Sequence, residues 1–204
     1  LNDVLVCDAN LNRISWIEQS PLGTYTEHVI AEDILAPAHI APCDIDKDGD
    51  MDLLVAKMGV VFPNNDKIGA VIVLENDGRQ QFTKRILADD IARVTDIEPG
   101  DFDGDGDVDL AVGQFGYDDG EIRWMENLGG DWRFESHNLL NLSGTIHTPV
   151  ADMDGDGHED IFLSQNFFAM QPEIPRLDAG RGLWLRGDGA GRLSGMSSQE
   201  SGIA

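Results

Sequence analysis

Three nine-residue stretches carry carboxylates at one repeated spacing. They read Asp44-Ile-Asp46-Lys-Asp48-Gly49-Asp50-Met-Asp52, Asp101-Phe-Asp103-Gly-Asp105-Gly106-Asp107-Val-Asp109 and Asp152-Met-Asp154-Gly-Asp156-Gly157-His158-Glu159-Asp160. Each holds five acids, so 15 of the 38 Asp and Glu occupy 27 positions. Like charges packed that closely call for a cation among them. Acids at positions 1, 3 and 5 with Gly at 6 make a tight turn that points hard oxygens inward, the arrangement in which a loop wraps Ca²⁺. Side-chain ligands are expected from positions 1, 3, 5 and 9 and a backbone carbonyl from position 7. The first site then uses Asp44, Asp46, Asp48, Asp50 and Asp52, and the second Asp101, Asp103, Asp105, Asp107 and Asp109. The third uses Asp152, Asp154, Asp156, His158 and Asp160, with the His158 ring free of the ion. Three solvated acidic turns would not share one register, so three calcium sites are the expectation.

The elements that must hold these loops follow from what flanks them. A helix–loop–helix calcium site needs a bidentate acid at position 12, which here is Val55, Val112 and Leu163. Instead, the acid at position 9 runs into Leu53-Leu-Val-Ala, Leu110-Ala-Val-Gly and Ile161-Phe-Leu-Ser, short apolar runs that read as buried strands. The position-9 acids recur at intervals near 50 residues, and one step back from Asp52 lands on Asp3, the tail of a fourth copy. Trp16-Ile-Glu18, Val73-Leu-Glu75, Trp124-Met-Glu126 and Trp184-Leu-Arg186 keep the same register, each followed by a Gly-containing turn and a further strand. Each unit thus supplies four strands, A to D, with the acidic loop between A and B. Repeats of about 50 residues with four strands apiece predict an all-β propeller of four-stranded antiparallel blades. The units are 1–34 (strands B to D only), 35–90, 91–143 and 144–204, four blades of one propeller domain or fragment.

These loops and flanking strands resemble the VCBS and FG-GAP repeats, the calcium-loop blades of integrin-α-type propellers and of exported bacterial proteins. Glu75-Asn-Asp-Gly78 and Glu126-Asn-Leu-Gly129 are similar to the bacterial VCBS style, whereas Ala56-Lys-Met, Gly113-Gln-Phe and Ser164-Gln-Asn replace the integrin Gly-Ala-Pro. The resemblance implies a seven-bladed ring about twice this length, of which this chain would be a part. It also implies export to an extracellular, cell-surface or periplasmic setting, where millimolar calcium suits such loops.

A second group of candidates lies in strand A. His39, Asp96 and His147 each stand five residues before an acidic loop, roughly 17 Å from it by strand rise and toward the opposite face. Two imidazoles and a carboxylate at one register suit a transition metal or a substrate; a polar lining of a central channel is the alternative. The loops between strands B and C vary widely and carry the aromatics Phe115, Tyr117, Phe167 and Phe168, which with His39, Asp96 and His147 form a possible ligand face. Trp16, Trp124 and Trp184 fall at the blade-core register, and His28 and His137 on outermost strands. Cys7 and Cys43 occupy positions that want a small side chain and are expected as free thiols.

Composition narrows the function. The formal charge of −24 repels phosphate, which argues against nucleic acid as a partner, and no apolar run is long enough for a transmembrane helix. The sequence offers no nucleophile–base pair and no phosphate-binding glycine loop. The reading that results is a non-catalytic, calcium-stabilised module of an exported protein that recognises or scaffolds a protein or glycan. Two alternatives stand beside it: the propeller of a carbohydrate-active enzyme, a lyase or dehydratase, acting at the His39/Asp96/His147 face, and a structural subunit of a cell-envelope assembly.

Overall fold

A computed structural model describes residues 1–62, 64–116, 120–130, 132–165 and 182–196. The described residues contain strands and turns and no helix, so no helix among them is long and apolar enough to cross a membrane. Among the described residues, sixteen strands form four antiparallel sheets in chain order. The first comprises β1 (Val4–Asp8), β2 (Arg13–Gln19) and β3 (Tyr25–Ala31). In the second, β4 (Pro37–Cys43), β5 (Asp52–Lys57), β6 (Gly69–Asn76) and β7 (Phe82–Ile91) lie side by side. The third repeats this with β8 (Arg93–Gly100), β9 (Asp109–Phe115), β10 (Glu121–Asn127) and β11 (Phe134–Asn141). The fourth is built from β12 (Thr145–His147), β13 (Val150–Ala151), β14 (Asp160–Gln165), β15 (Leu183–Gly187) and β16 (Leu193–Met196). These are propeller-like blades, and no sheet closes into a barrel.

The apolar runs after each acidic loop lack strand alternation because both of their faces are buried. Leu53 and Val55 of β5 pack with Ile14 of the preceding sheet and Ile34 of the connection between β3 and β4, while Leu54 and Ala56 pack with Val94, Ile97, Leu110 and Val112 of the following sheet. Ala111, between Leu110 and Val112, turns the other way to join Ile161, Leu163 and Leu185 of the fourth sheet. The core is therefore three interlayers between successive sheets, so the sheets bury their apolar faces against one another, as expected for blades. Outer strands β7 and β11 mix half-buried with exposed residues because only one face is covered.

Two departures matter for the site. Strand β9 continues through Gln114 and Phe115, so Phe115 lies in the strand and not in the following loop, and is buried (5% exposed) with the Arg93 guanidinium 5.0 Å from its ring centre. It therefore presents no open ring for a ligand. In the fourth sheet the innermost strand is split into β12 and β13 at Thr148-Pro149. Pro149 has no N–H to give a ladder, and the Thr148 N–H is donated sideways to Asp96 of the third sheet.

Candidate functional site

The three acidic loops fold alike. In each, the position-1 carboxylate accepts the N–H of the position-6 glycine: Asp44 from Gly49, Asp101 from Gly106 and Asp152 from Gly157. Position 3 accepts the N–H of position 5, as Asp46 from Asp48, Asp103 from Asp105 and Asp154 from Asp156. Position 5 accepts from position 7, as Asp48 from Asp50, Asp105 from Asp107 and Asp156 from His158. The position-6 glycines have φ of 98°, 88° and 89°, a left-handed turn that disfavours any side chain.

Position 9 anchors each loop to its sheet. One oxygen of Asp52, Asp109 and Asp160 accepts the N–H of Ile45, Phe102 and Met153 inside the loop. The other accepts the N–H of Asn76, Asn127 and Gly187 at the end of the third strand. Asp3 receives the Gln19 N–H in the same way, which identifies it as the position-9 acid of the first sheet.

One carboxylate oxygen from each member of Asp44, Asp46 and Asp48, of Asp101, Asp103 and Asp109, and of Asp152, Asp154 and Asp160 lies within 4.8 Å of the others in its set. Burial, followed by neighbouring acids, pushes the carboxyls of Asp46, Asp52 and Asp103 above the ordinary range and that of Asp109 up to about 6. Asp44 Oδ1 is buried with no hydrogen-bond partner.

Residues 101–163 match the family described as the FG-GAP-like repeat. This segment is similar to an FG-GAP-like repeat. It begins on the position-1 acid of the second loop and ends on Leu163 in β14, just past the third loop, so it spans one full turn of the structural repeat. No curated protein matches the chain significantly.

Around the FG-GAP repeat the loops are not electrostatically equal. Opposite the position-9 acid, on the third strand, stand Glu75 beside the first loop and Glu126 beside the second, but Arg186 beside the third. Glu75 and Glu126 raise the carboxyls of Asp46 and Asp103 further. Arg186 instead pairs with Asp154 at 2.6 Å and Asp156 at 2.7 Å. The His158 N–H and then Arg186 hold the Asp156 carboxyl below its usual value.

The strand-A residues converge. His39, Asp96 and His147 pair across their ladders with Ala56, Gly113 and Ser164, the same register in three consecutive sheets. Asp96 is buried and central: Oδ1 faces His39 Nδ1, and Oδ2 faces His147 Nδ1 at 2.6 Å while accepting the Thr148 N–H (2.6 Å) and hydroxyl (3.1 Å). Thr95 ties the same sheets by donating to the carbonyls of Gly113 and Thr145. Gly113 permits this approach, since a Cβ there would lie 3.0 Å from Thr148 Cγ2 and 3.2 Å from Thr145 Cγ2.

A fourth member, Glu98, went unnoticed in the sequence. It lies two residues beyond Asp96 on the same face of β8, with Oε1 3.9 Å from His39 Nε2. Burial raises the Glu98 carboxyl and lowers His39, the latter with a further push from His147.

The remaining candidates resolve individually. Tyr117, Phe167 and Phe168 lie outside the described residues. Trp124 and Trp184 are buried. Trp16 stacks on His28 at 4.7 Å and Trp124 on His137 at 4.6 Å, with His28 paired to Glu18 and His137 to Glu126 across the strands. Cys7 and Cys43 are free, and burial pushes their thiols up to about 11 and about 12.

Proposed function

We propose that this chain is a calcium-stabilised, propeller-type module of an exported protein, non-catalytic, that recognises or scaffolds a protein or glycan partner. The observation that carries the calcium part is the same carboxylate ladder at the same place in three successive sheets, with all-oxygen donor sets and a partnerless buried oxygen on Asp44. Only hard oxygens are gathered there, which suits Ca²⁺ rather than a thiol- or imidazole-seeking metal. Asp44, Asp46, Asp48 and Asp52 would hold the first ion, and their equivalents the other two. The ion would supply the countercharge that lets strands leave the loop with buried acids at position 9. The recognition part is supported by a scaffold of packed sheets whose described connections range from 9–12 between β1 and β2 to the much longer segment at 58–68 between β5 and β6.

The test is a thermal melt with and without calcium. Binding at a hundred times the dissociation constant contributes about 2.7 kcal/mol per site. For a chain of this size that is roughly 5–10 °C per site at the transition. An unchanged melt in excess EDTA rejects the calcium reading. A glycan array and a pull-down against surface proteins, run with calcium-loaded protein, then test recognition.

A second reading, the propeller of a carbohydrate-active lyase or dehydratase, is favoured by the meeting of His39, Asp96 and His147 from three sheets. Under that reading, turnover of an acidic polysaccharide disappears in the His39→Ala/His147→Ala variant while calcium binding is retained.

A further inference from the structure

The centre formed by His39, Asp96, Glu98 and His147 has a chemistry unlike that of the acidic loops. One candidate ligand atom from each of the four lies within 4.8 Å of every other. Two are imidazole nitrogens, which calcium avoids and zinc-type ions prefer. Both rings turn Nδ1 toward the buried Asp96 carboxylate, which fixes the tautomer with the proton on Nδ1 and leaves each Nε2 with its lone pair. A carboxylate that holds the inner nitrogen of a histidine is the standard support of a metal-ligating imidazole. Here one carboxylate serves two rings, and its own place is fixed by the Thr148 N–H and hydroxyl.

Glu98 completes a donor set of two imidazoles and a carboxylate. His39 Nε2 and Glu98 Oε1 are 3.9 Å apart, too far for a hydrogen bond. That is within about half an ångström of the separation of about 3.4 Å that two bonds of about 2.0–2.1 Å make at a tetrahedral angle. The His147 side chain is 50% exposed and that of His39 26%, so an ion can enter and a coordination position stays open to water. The four residues come from strands of three different sheets, β4, β8 and β12.

We propose that this centre binds one divalent transition-metal ion of the zinc type, with His39, His147 and Glu98 as ligands and Asp96 as the residue that positions both rings. An ion there would cross-link three consecutive sheets at the end away from the acidic loops. The acidic loops do not compete for such an ion, because the side-chain atoms they bring together are all carboxylate oxygens.

The full chain, stripped with chelator and then returned to saturating Ca²⁺, is titrated with Zn²⁺ by calorimetry and with Co²⁺ by visible absorption. The expected result is uptake of one equivalent that calcium does not compete away, with a cobalt spectrum of a nitrogen- and oxygen-ligated ion. His39→Ala and His147→Ala should each weaken binding at least about tenfold, and Glu98→Gln should do likewise with little risk to the fold. Asp96→Asn should weaken affinity by about 10–100-fold while the ion, once bound, keeps the same cobalt spectrum. His137→Ala, which removes the imidazole of the separate Glu126/Glu135/His137 group, should change nothing. No uptake by the calcium-loaded wild type overturns the proposal. So does uptake unaltered in Glu98→Gln and His147→Ala, or uptake lost only in His137→Ala.

Discussion

At the scale of single residues, charge identity at one position separates otherwise equal loops. Arg186 stands where Glu75 and Glu126 stand in the two preceding sheets, and it already occupies the oxygens of Asp154 and Asp156. On the calcium reading, the third loop binds most weakly, since an incoming ion must displace a guanidinium paired to two of its acids. Arg186→Glu should raise the affinity of that loop by about tenfold or more, seen as loss of the weakest phase in a calcium titration; an unchanged titration would refute the assignment. Arg186 was visible in the repeat as the odd member of the Trp-x-Glu series, but its reach to the loop depends on a cross-strand geometry that spacing does not contain. Glu98 escaped for a different reason: the equivalent positions are Ala41 and Pro149, so no repeat marks it. The convergence of His39, Asp96 and His147 was legible because residues at one register of consecutive inner strands are neighbours wherever the sheets pack in chain order.

At the scale of elements, the strands after each loop were readable from their apolar runs, and burial on both faces explains why those runs do not alternate. The far end of β9 is not legible in the sequence because Gly116 and the polar residues after it have loop character, whereas pairing of Arg93 with Phe115 extends the ladder. The break between β12 and β13 was also hidden, since it follows from a hydrogen bond made to a different sheet. Gly113 is the element-level constraint. It pairs with Asp96 in β8 and lets Thr145 and Thr148 close over β9. Gly113→Val should destabilise the fold by about 1–3 kcal/mol through overpacking, and Gly113→Ala by less, measured by denaturant unfolding. A neutral Gly113→Val would mean that the two threonines can retreat without cost.

At the scale of the whole molecule, 15 of the 38 acids lie in the three loops that follow the innermost strands, and three divalent ions would reduce the −24 charge only to −18. That concentration sets how metal-free protein should respond to pH. Burial places the Asp109 carboxyl at about 6 against an ordinary 3.8, and those of Asp46, Asp52 and Asp103 are raised in the same sense. A carboxyl whose folded value exceeds its unfolded one favours folding when protonated, so its contribution is present below the unfolded value and lost as pH rises through the folded one. The melting temperature of chelated protein should therefore fall between about pH 4 and about pH 6, where these four carboxyls outnumber His39, whose lowered value acts in the opposite sense. Saturating calcium should flatten or invert that slope. A metal-free melt that rises across the window would contradict it.

The acidic loops are also fastened to one another. Lys47 of the first reaches Asp107 of the second, and Glu159 of the third accepts the N–H of Asp101, again in the second. The middle loop is thus clasped from both sides, while each outer loop is held from one. In kinetic terms, two contacts from neighbouring loops restrain the backbone of the middle loop, so its opening would be slower than that of the outer loops. On the calcium reading its occupant is the last to exchange, whatever the order of equilibrium affinities.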